Sequence, residues 1–140
     1  MKITIFGTGY VGLITGACFA NVGHEVVCVD IDQSRIKSLN KGNIPIYEPG
    51  LEDIVVKNIE KKSLIFSSSI EKGVVHGKIC FIAVGPPSKI DGSVNMEYVY
   101  DLAKKIGESI DQYKVIVNKS TVPVGSAEKT REIIAEQINK

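Results

Sequence analysis

The chain has 140 residues, 44% of them hydrophobic, with 17 Lys and Arg against 16 Asp and Glu for a formal net charge of +1. That length is enough for one domain with a proper core, and a charge so near balance carries no electrostatic footprint for nucleic acid or a membrane surface. Cys18, Cys28 and Cys80 stand in apolar helix or strand contexts without Cys-x-x-Cys or Cys/His spacing, which predicts small buried thiols in a reducing compartment and no metal site.

The first predicted element is a strand, Lys2–Phe6, which runs directly into Gly7-Thr8-Gly9-Tyr10-Val11-Gly12. A helix is predicted from Tyr10 to Val22, stopped by Gly23 as its C-terminal cap, and a second strand spans Glu25–Asp30. Strand, glycine loop, helix and an acid closing the next strand together make the dinucleotide fingerprint. In that arrangement Gly7 makes the tight turn, Gly9 lets the backbone approach a pyrophosphate, and Gly12 lets the helix pack against the strand. The pyrophosphate is expected over the first free N–H groups of the helix, at the positive end of its dipole. Asp30 lies eighteen residues after Gly12, near the spacing of about 20 for the acid that accepts hydrogen bonds from the adenosine ribose. A carboxylate there repels a 2′-phosphate, so the expected cofactor is NAD rather than NADP. The blander alternative makes Asp30 a strand terminator and Asp32 a helix cap, and leaves the glycines unexplained.

Lys2 followed by an apolar run ending Gly-Ala-Cys-Phe-Ala also has the outline of a secretory leader. Glycines at 7, 9, 12 and 16 interrupt that run, and cleavage near Ala20 would remove the partner of the second strand. The expectation is a cytoplasmic protein.

Further on, Ser34–Asn40 reads as a short helix closed by Gly42, and Asn43–Gly50 carries two prolines that rule out regular structure across most of it. A helix is predicted over Leu51–Lys61, a strand over Leu64–Phe66, and a brief helix opened by a capping box of Ser68 and Glu71. Ile79–Val84 is an unbroken apolar run, as expected of a central strand covered on both faces. Asn95 is a candidate cap for a helix whose stripe is Val99, Leu102, Ala103, Ile106 and Ile110. The last strand is Lys114–Val117, and a final amphipathic helix runs from about Ser126 to Ile138. His24 and His76 fall in predicted turns.

Alternating strand and helix patterns predict an α/β protein: a Rossmann-type, doubly wound parallel sheet with helices on both faces. Ligands bind such sheets outside the carboxyl ends of the strands. The loops after the first, fourth and fifth strands meet on that edge, so Gly85–Ser88 and Lys119–Gly125 are candidate linings for the nicotinamide half of the cofactor.

Four segments carry a family resemblance: Gly7–Gly12 with Tyr-Val-Gly in the middle, Val29-Asp30-Ile31-Asp32 with Arg35 behind it, Pro45-Ile46-Tyr47-Glu48-Pro49-Gly50-Leu51, and Lys119-Ser120-Thr121-Val122-Pro123-Val124-Gly125. The last two are the more particular. Through them all 140 residues resemble the amino-terminal NAD-binding domain of the UDP-glucose/GDP-mannose dehydrogenase family. The resemblance implies oxidation of the C6 alcohol of a nucleotide sugar, with UDP-glucose the expected substrate and UDP-glucuronate the product. Two NAD molecules take up the two hydrides, and an active-site cysteine holds the intermediate. It implies that Asp30 and Arg35 contact the adenosine ribose, Tyr10 and Val11 the pyrophosphate side, and Val84, Gly85 and Pro86 the length of the cofactor. Ser120 and Thr121 belong to the same site, Thr121 as the one residue here close to the reacting centre. A threonine is common in the family where this chain has Pro86, which has neither N–H nor hydroxyl, so weaker cofactor binding is expected. The family's nucleophilic cysteine, central helix and second nucleotide-binding domain have no counterpart here. Residues 1–140 therefore read as the cofactor domain of a larger dehydrogenase, inactive alone and monomeric where the parent is a homodimer. GDP-mannose or UDP-N-acetyl-hexosaminuronate dehydrogenases, a non-catalytic NAD(H)-binding module, and an assembly element with a vestigial site are the competing expectations.

Overall fold

The alternation of strand and helix is realised from end to end in the computed structural model, which describes residues 1–140. The elements are β1 (Lys2–Phe6), α1 (Tyr10–Asn21), β2 (Glu25–Val29), α2 (Gln33–Asn40), α3 (Leu51–Glu60), β3 (Leu64–Ser67), α4 (Ile70–His76), β4 (Ile79–Ile82), α5 (Glu97–Ser109), β5 (Val115–Asn118) and α6 (Ser126–Ile138). All strand pairs are parallel, in the order β3-β2-β1-β4-β5. The chain winds outward from β1 to β3, then crosses back to place β4 on the other side of β1. The carboxyl ends of β1 and β4 thus flank the point where the winding reverses, where a crevice is expected.

Each face of the sheet has its own core. On one, Ile3, Ile5, Val26 and Cys28 meet Leu13 and Ala17 of α1, Leu39 of α2 and Val55 of α3. On the other, Phe6, Val29, Cys80 and Ile82 meet Val74 of α4, Val99 and Ile106 of α5, and Ile134 of α6. Each of the Val, Leu, Ile and Phe side chains among them contributes about 1.5–3 kcal/mol when fully buried, so these two layers supply most of the driving force. No helix is long and apolar enough to cross a membrane.

Local chemistry sets the element ends, with several departures from expectation. Asp32 caps α2, its Oδ1 accepting from the N–H groups of Ser34 and Arg35 at 2.9 and 3.0 Å. The Ser34 hydroxyl bond, followed by those backbone donors, holds the Asp32 carboxyl below its ordinary pKa. The cap of α4 is Ser69, not Ser68: its Oγ accepts from Lys72 N–H at 3.2 Å. That register puts Glu71 at the second helical position, too early to close a capping box. Asn95 sits one residue before the N-cap Met96, its Oδ1 accepting from Glu97 N–H at 3.1 Å. β4 stops at Ile82, two residues before the apolar run does, because the Ile82 carbonyl accepts from Lys119 and Ser120 N–H at 2.9 and 3.1 Å as the chain leaves the sheet. β5 lies one residue later than expected, Asn118 pairing with Ile82. His76, expected in a turn, is the last residue of α4 and donates through Nε2 to the Glu25 carbonyl at 3.1 Å.

Candidate cofactor site

A cleft of about 660 Å³ opens at the reversal point. Its floor is Gly7, Gly9 and Asp30; Val84 and Gly85 form the β4 side, Arg35 the α2 side, and Tyr98, Asp101 and Lys105 of α5 the far wall.

The three glycines of the fingerprint do different work. Gly7 has φ +103°, and a Cβ there would stand 2.6 Å from the Ala83 carbonyl oxygen. A Cβ on Gly12 would overlap the carbonyl oxygen of Gly7 itself. At Gly9, by contrast, a Cβ would meet no protein atom within 4 Å. Gly9 is also the N-cap of α1, which has no side-chain cap and no acid in its first turn. Unsatisfied N–H groups at a positive helix end therefore face open space, and those features fit a pyrophosphate.

Asp30 lies just past β2, half-buried. Its Oδ2 accepts from both the N–H and the hydroxyl of Thr8, at 2.8 and 2.7 Å, and its Oδ1 accepts from Asp32 N–H at 3.0 Å. Arg35, the third residue of α2, lines the same cleft. Tyr10 and Val11, expected at the pyrophosphate, are exposed in the first turn of α1 and outside the cleft lining, and the Tyr10 hydroxyl donates to Glu48. That bond raises the Tyr10 pKa, since the neighbouring carboxylate opposes a phenolate. It also ties the glycine loop to the proline-rich segment, whose Ile44 and Ile46 pack on the core while Tyr47 is 89% exposed.

The loop after β4 brings Val84, Gly85 and Pro87 to the cleft; Pro86 is half-buried and outside the lining. The Ser120 hydroxyl donates its one proton to the Val84 carbonyl at 2.6 Å, with the Ile82 carbonyl a longer alternative acceptor at 3.2 Å, clasping the ends of β4 and β5 together. Thr121 is exposed on the same edge and outside the cleft lining. It does not cap α6, whose N-cap is Gly125 without a side-chain bond.

Of the cysteines, Cys28 and Cys80 are buried, and burial pushes their thiols up to about 12 and about 11. Cys18, expected inside, faces solvent. α1 is apolar nearly all round, so its inward face is set by the glycines: Gly12, Leu13, Gly16, Ala17 and Ala20 turn to the sheet and Cys18 turns away. One thiol is expected to react rapidly with an aromatic disulfide reagent at pH 8, and three after denaturation. Rapid reaction of two in the native chain would contradict this placement.

Reading the sequence overlooked Thr8, Glu48 and the α5 wall. The wall leaves a signal, since Tyr98, Asp101 and Lys105 recur at helical spacing beside the apolar stripe. Thr8 and Glu48 leave none, because their partners lie 22 and 38 residues away.

The profile of the UDP-glucose/GDP-mannose dehydrogenase family, NAD binding domain, matches residues 1–140. The chain belongs to this family. It is the family's NAD-binding domain. Among relatives, UDP-glucose 6-dehydrogenase TuaD of Bacillus subtilis is 51% identical over 133 residues, covering 95% of this chain and 29% of its own length. Among solved structures, a ternary complex of GDP-mannose dehydrogenase from Pseudomonas aeruginosa superposes with a TM-score of 0.96 at 33% identity, covering 100% of this chain and 33% of that one. A UDP-glucose dehydrogenase from Pyrobaculum islandicum gives 0.93 at 37% identity, over 98% and 33% of the two chains. The dehydrogenase-family chain described here thus spans about a third of the length of the proteins it matches, 29–33%.

Proposed function

We propose that this chain is the cofactor domain of a UDP-glucose 6-dehydrogenase, holding NAD while the C6 alcohol of UDP-glucose is oxidised to UDP-glucuronate. The observation that carries the cofactor half is the open space before Gly9, at an uncapped helix end in the same cleft as Asp30. The substrate half is supported by relatives 51%, 47% and 46% identical that bear the name UDP-glucose 6-dehydrogenase. NAD supplies the hydride acceptor. This chain's residues do the holding: the first N–H groups of α1 meet the pyrophosphate, Asp30 accepts from a ribose hydroxyl, and Val84 and Gly85 border the path toward the nicotinamide. Ser120 keeps that path in shape by joining the ends of β4 and β5. Thr121, exposed on the same edge, is assigned to the reacting centre on the family resemblance of Lys119–Gly125 alone.

The test is a titration of the 140-residue chain with NADH and with NADPH, followed by nucleotide fluorescence. NADH is expected to bind preferentially. Asp30→Ala is expected to weaken NADH about tenfold or more, since a hydrogen bond to a charged group contributes about 1.5–3 kcal/mol. NADH affinity unchanged in Asp30→Ala would remove the acid from the site.

A further inference from the structure

We infer that Thr8 is a positioning residue for cofactor choice: it locks the Asp30 carboxylate in the orientation that admits a ribose hydroxyl and turns away a 2′-phosphate. The inference rests on Asp30 being the ribose acid proposed above.

Thr8 occupies the variable position between the first two glycines, where the fingerprint asks nothing of the side chain. Yet it is fully buried, and its side chain and backbone both donate to a single oxygen of Asp30, Oδ2, at 2.7 and 2.8 Å. The third donor, Asp32 N–H, takes Oδ1 at 3.0 Å. A carboxylate offers about four acceptor sites, two on each oxygen. Oδ2 is therefore saturated within the protein, and Oδ1 keeps one site for a ligand. The acid that should greet the ribose can do so through one oxygen and in one pose.

Arg35 gives that pose its consequence. Its side chain lines the same cleft and forms no ion pair within the chain. A guanidinium in the same cleft as the ribose acid is a ready partner for a 2′-phosphate. The fixed negative charge of Asp30 is then what excludes NADPH. Once freed to swing toward solvent, the carboxylate would leave Arg35 to accept the phosphate. Thr8 supplies two of the three bonds that prevent this, and only its hydroxyl can be removed without touching the backbone.

Thr8→Val replaces that hydroxyl with a methyl group of similar size. The ratio of NADH to NADPH affinity is expected to fall about five- to tenfold, the scale of one hydrogen bond to a charged acceptor. Thr8→Ser, which keeps the hydroxyl, is expected to restore the ratio. In an Asp30→Ala background, Thr8→Val is expected to leave the ratio unchanged, because the group it positions is gone. Circular dichroism checks folding, and Thr8→Ala carries the same expectation should Thr8→Val not fold. An unchanged ratio in a folded Thr8→Val chain, or an equal fall in the Asp30→Ala background, would overturn the role of Thr8. If Asp30→Ala by itself leaves both affinities unchanged, the ribose assignment fails first.

Discussion

Gly12→Ala is expected to be the most damaging single-atom addition to this chain. The new Cβ would overlap the carbonyl oxygen of Gly7, with the Gly7 carbonyl carbon 2.9 Å away. Both are backbone atoms of the turn that joins β1 to α1, so no rotamer change relieves the contact. Relief requires α1 to move off the sheet, and the helix has little room, because a Cβ on Gly16 would already overlap the Cys28 sulfur. Overpacking costs about 1–3 kcal/mol even where side chains can yield. Here the upper end applies, which corresponds to a fall in melting temperature on the order of 10 °C. NADH binding should disappear with it, since the displaced turn is the one that aims the helix N-terminus into the cleft. Thermal denaturation measures the first effect and titration the second. A melting temperature within two or so degrees of the parent chain would mean that α1 is not seated as described.

Gly9→Ala is expected to do the reverse: to leave the fold alone and remove the ligand. Gly9 has φ −69° and ψ −170°, extended backbone that alanine adopts freely, and no protein atom stands within 4 Å of the added methyl. The stability cost is confined to exchanging glycine for alanine at an N-cap, about 1 kcal/mol or less. The methyl instead occupies the space in front of the free N–H groups of α1, where the pyrophosphate has to come closest. Pushing an anion away from those donors is expected to lower NADH affinity on the order of 10- to 100-fold, the same overpacking cost now charged to binding. The comparison of the two variants separates the roles of neighbouring glycines. If Gly9→Ala binds NADH as tightly as the parent chain, the pyrophosphate does not lie where the glycine loop places it.

Several features were legible from local pattern because local pattern is what produces them. β1 and α1 announce themselves through an apolar strand, three glycines and a glycine stop; the α5 stripe Val99, Leu102, Ala103 and Ile106 is buried as its helical spacing requires. Element ends were less legible, since a boundary depends on which neighbouring hydrogen bond wins. Ser68 and Ser69 are chemically equivalent candidates for the cap of α4, and only the register of the helix selects Ser69. Cys18 was misplaced for a similar reason: in a helix apolar on almost every side, composition does not say which face turns inward.

The sequence by itself determined the class of fold, the dinucleotide fingerprint and the identity of the acid that closes β2, because each depends on residue types at short, regular spacings. Tertiary structure alone decided what those groups can still offer a ligand. Asp30 has one free acceptor site because Thr8 and Asp32 occupy the others, and Tyr10 is tethered because a segment 38 residues away brings Glu48 against it. Pro87 rather than Pro86 lines the cleft, and Ser120, reaching across from just past β5, holds the Val84 carbonyl where the chain leaves β4. Hydrogen bonds between residues far apart in the chain have no periodicity to betray them, and they are what turn a fingerprint into a site with a preferred ligand.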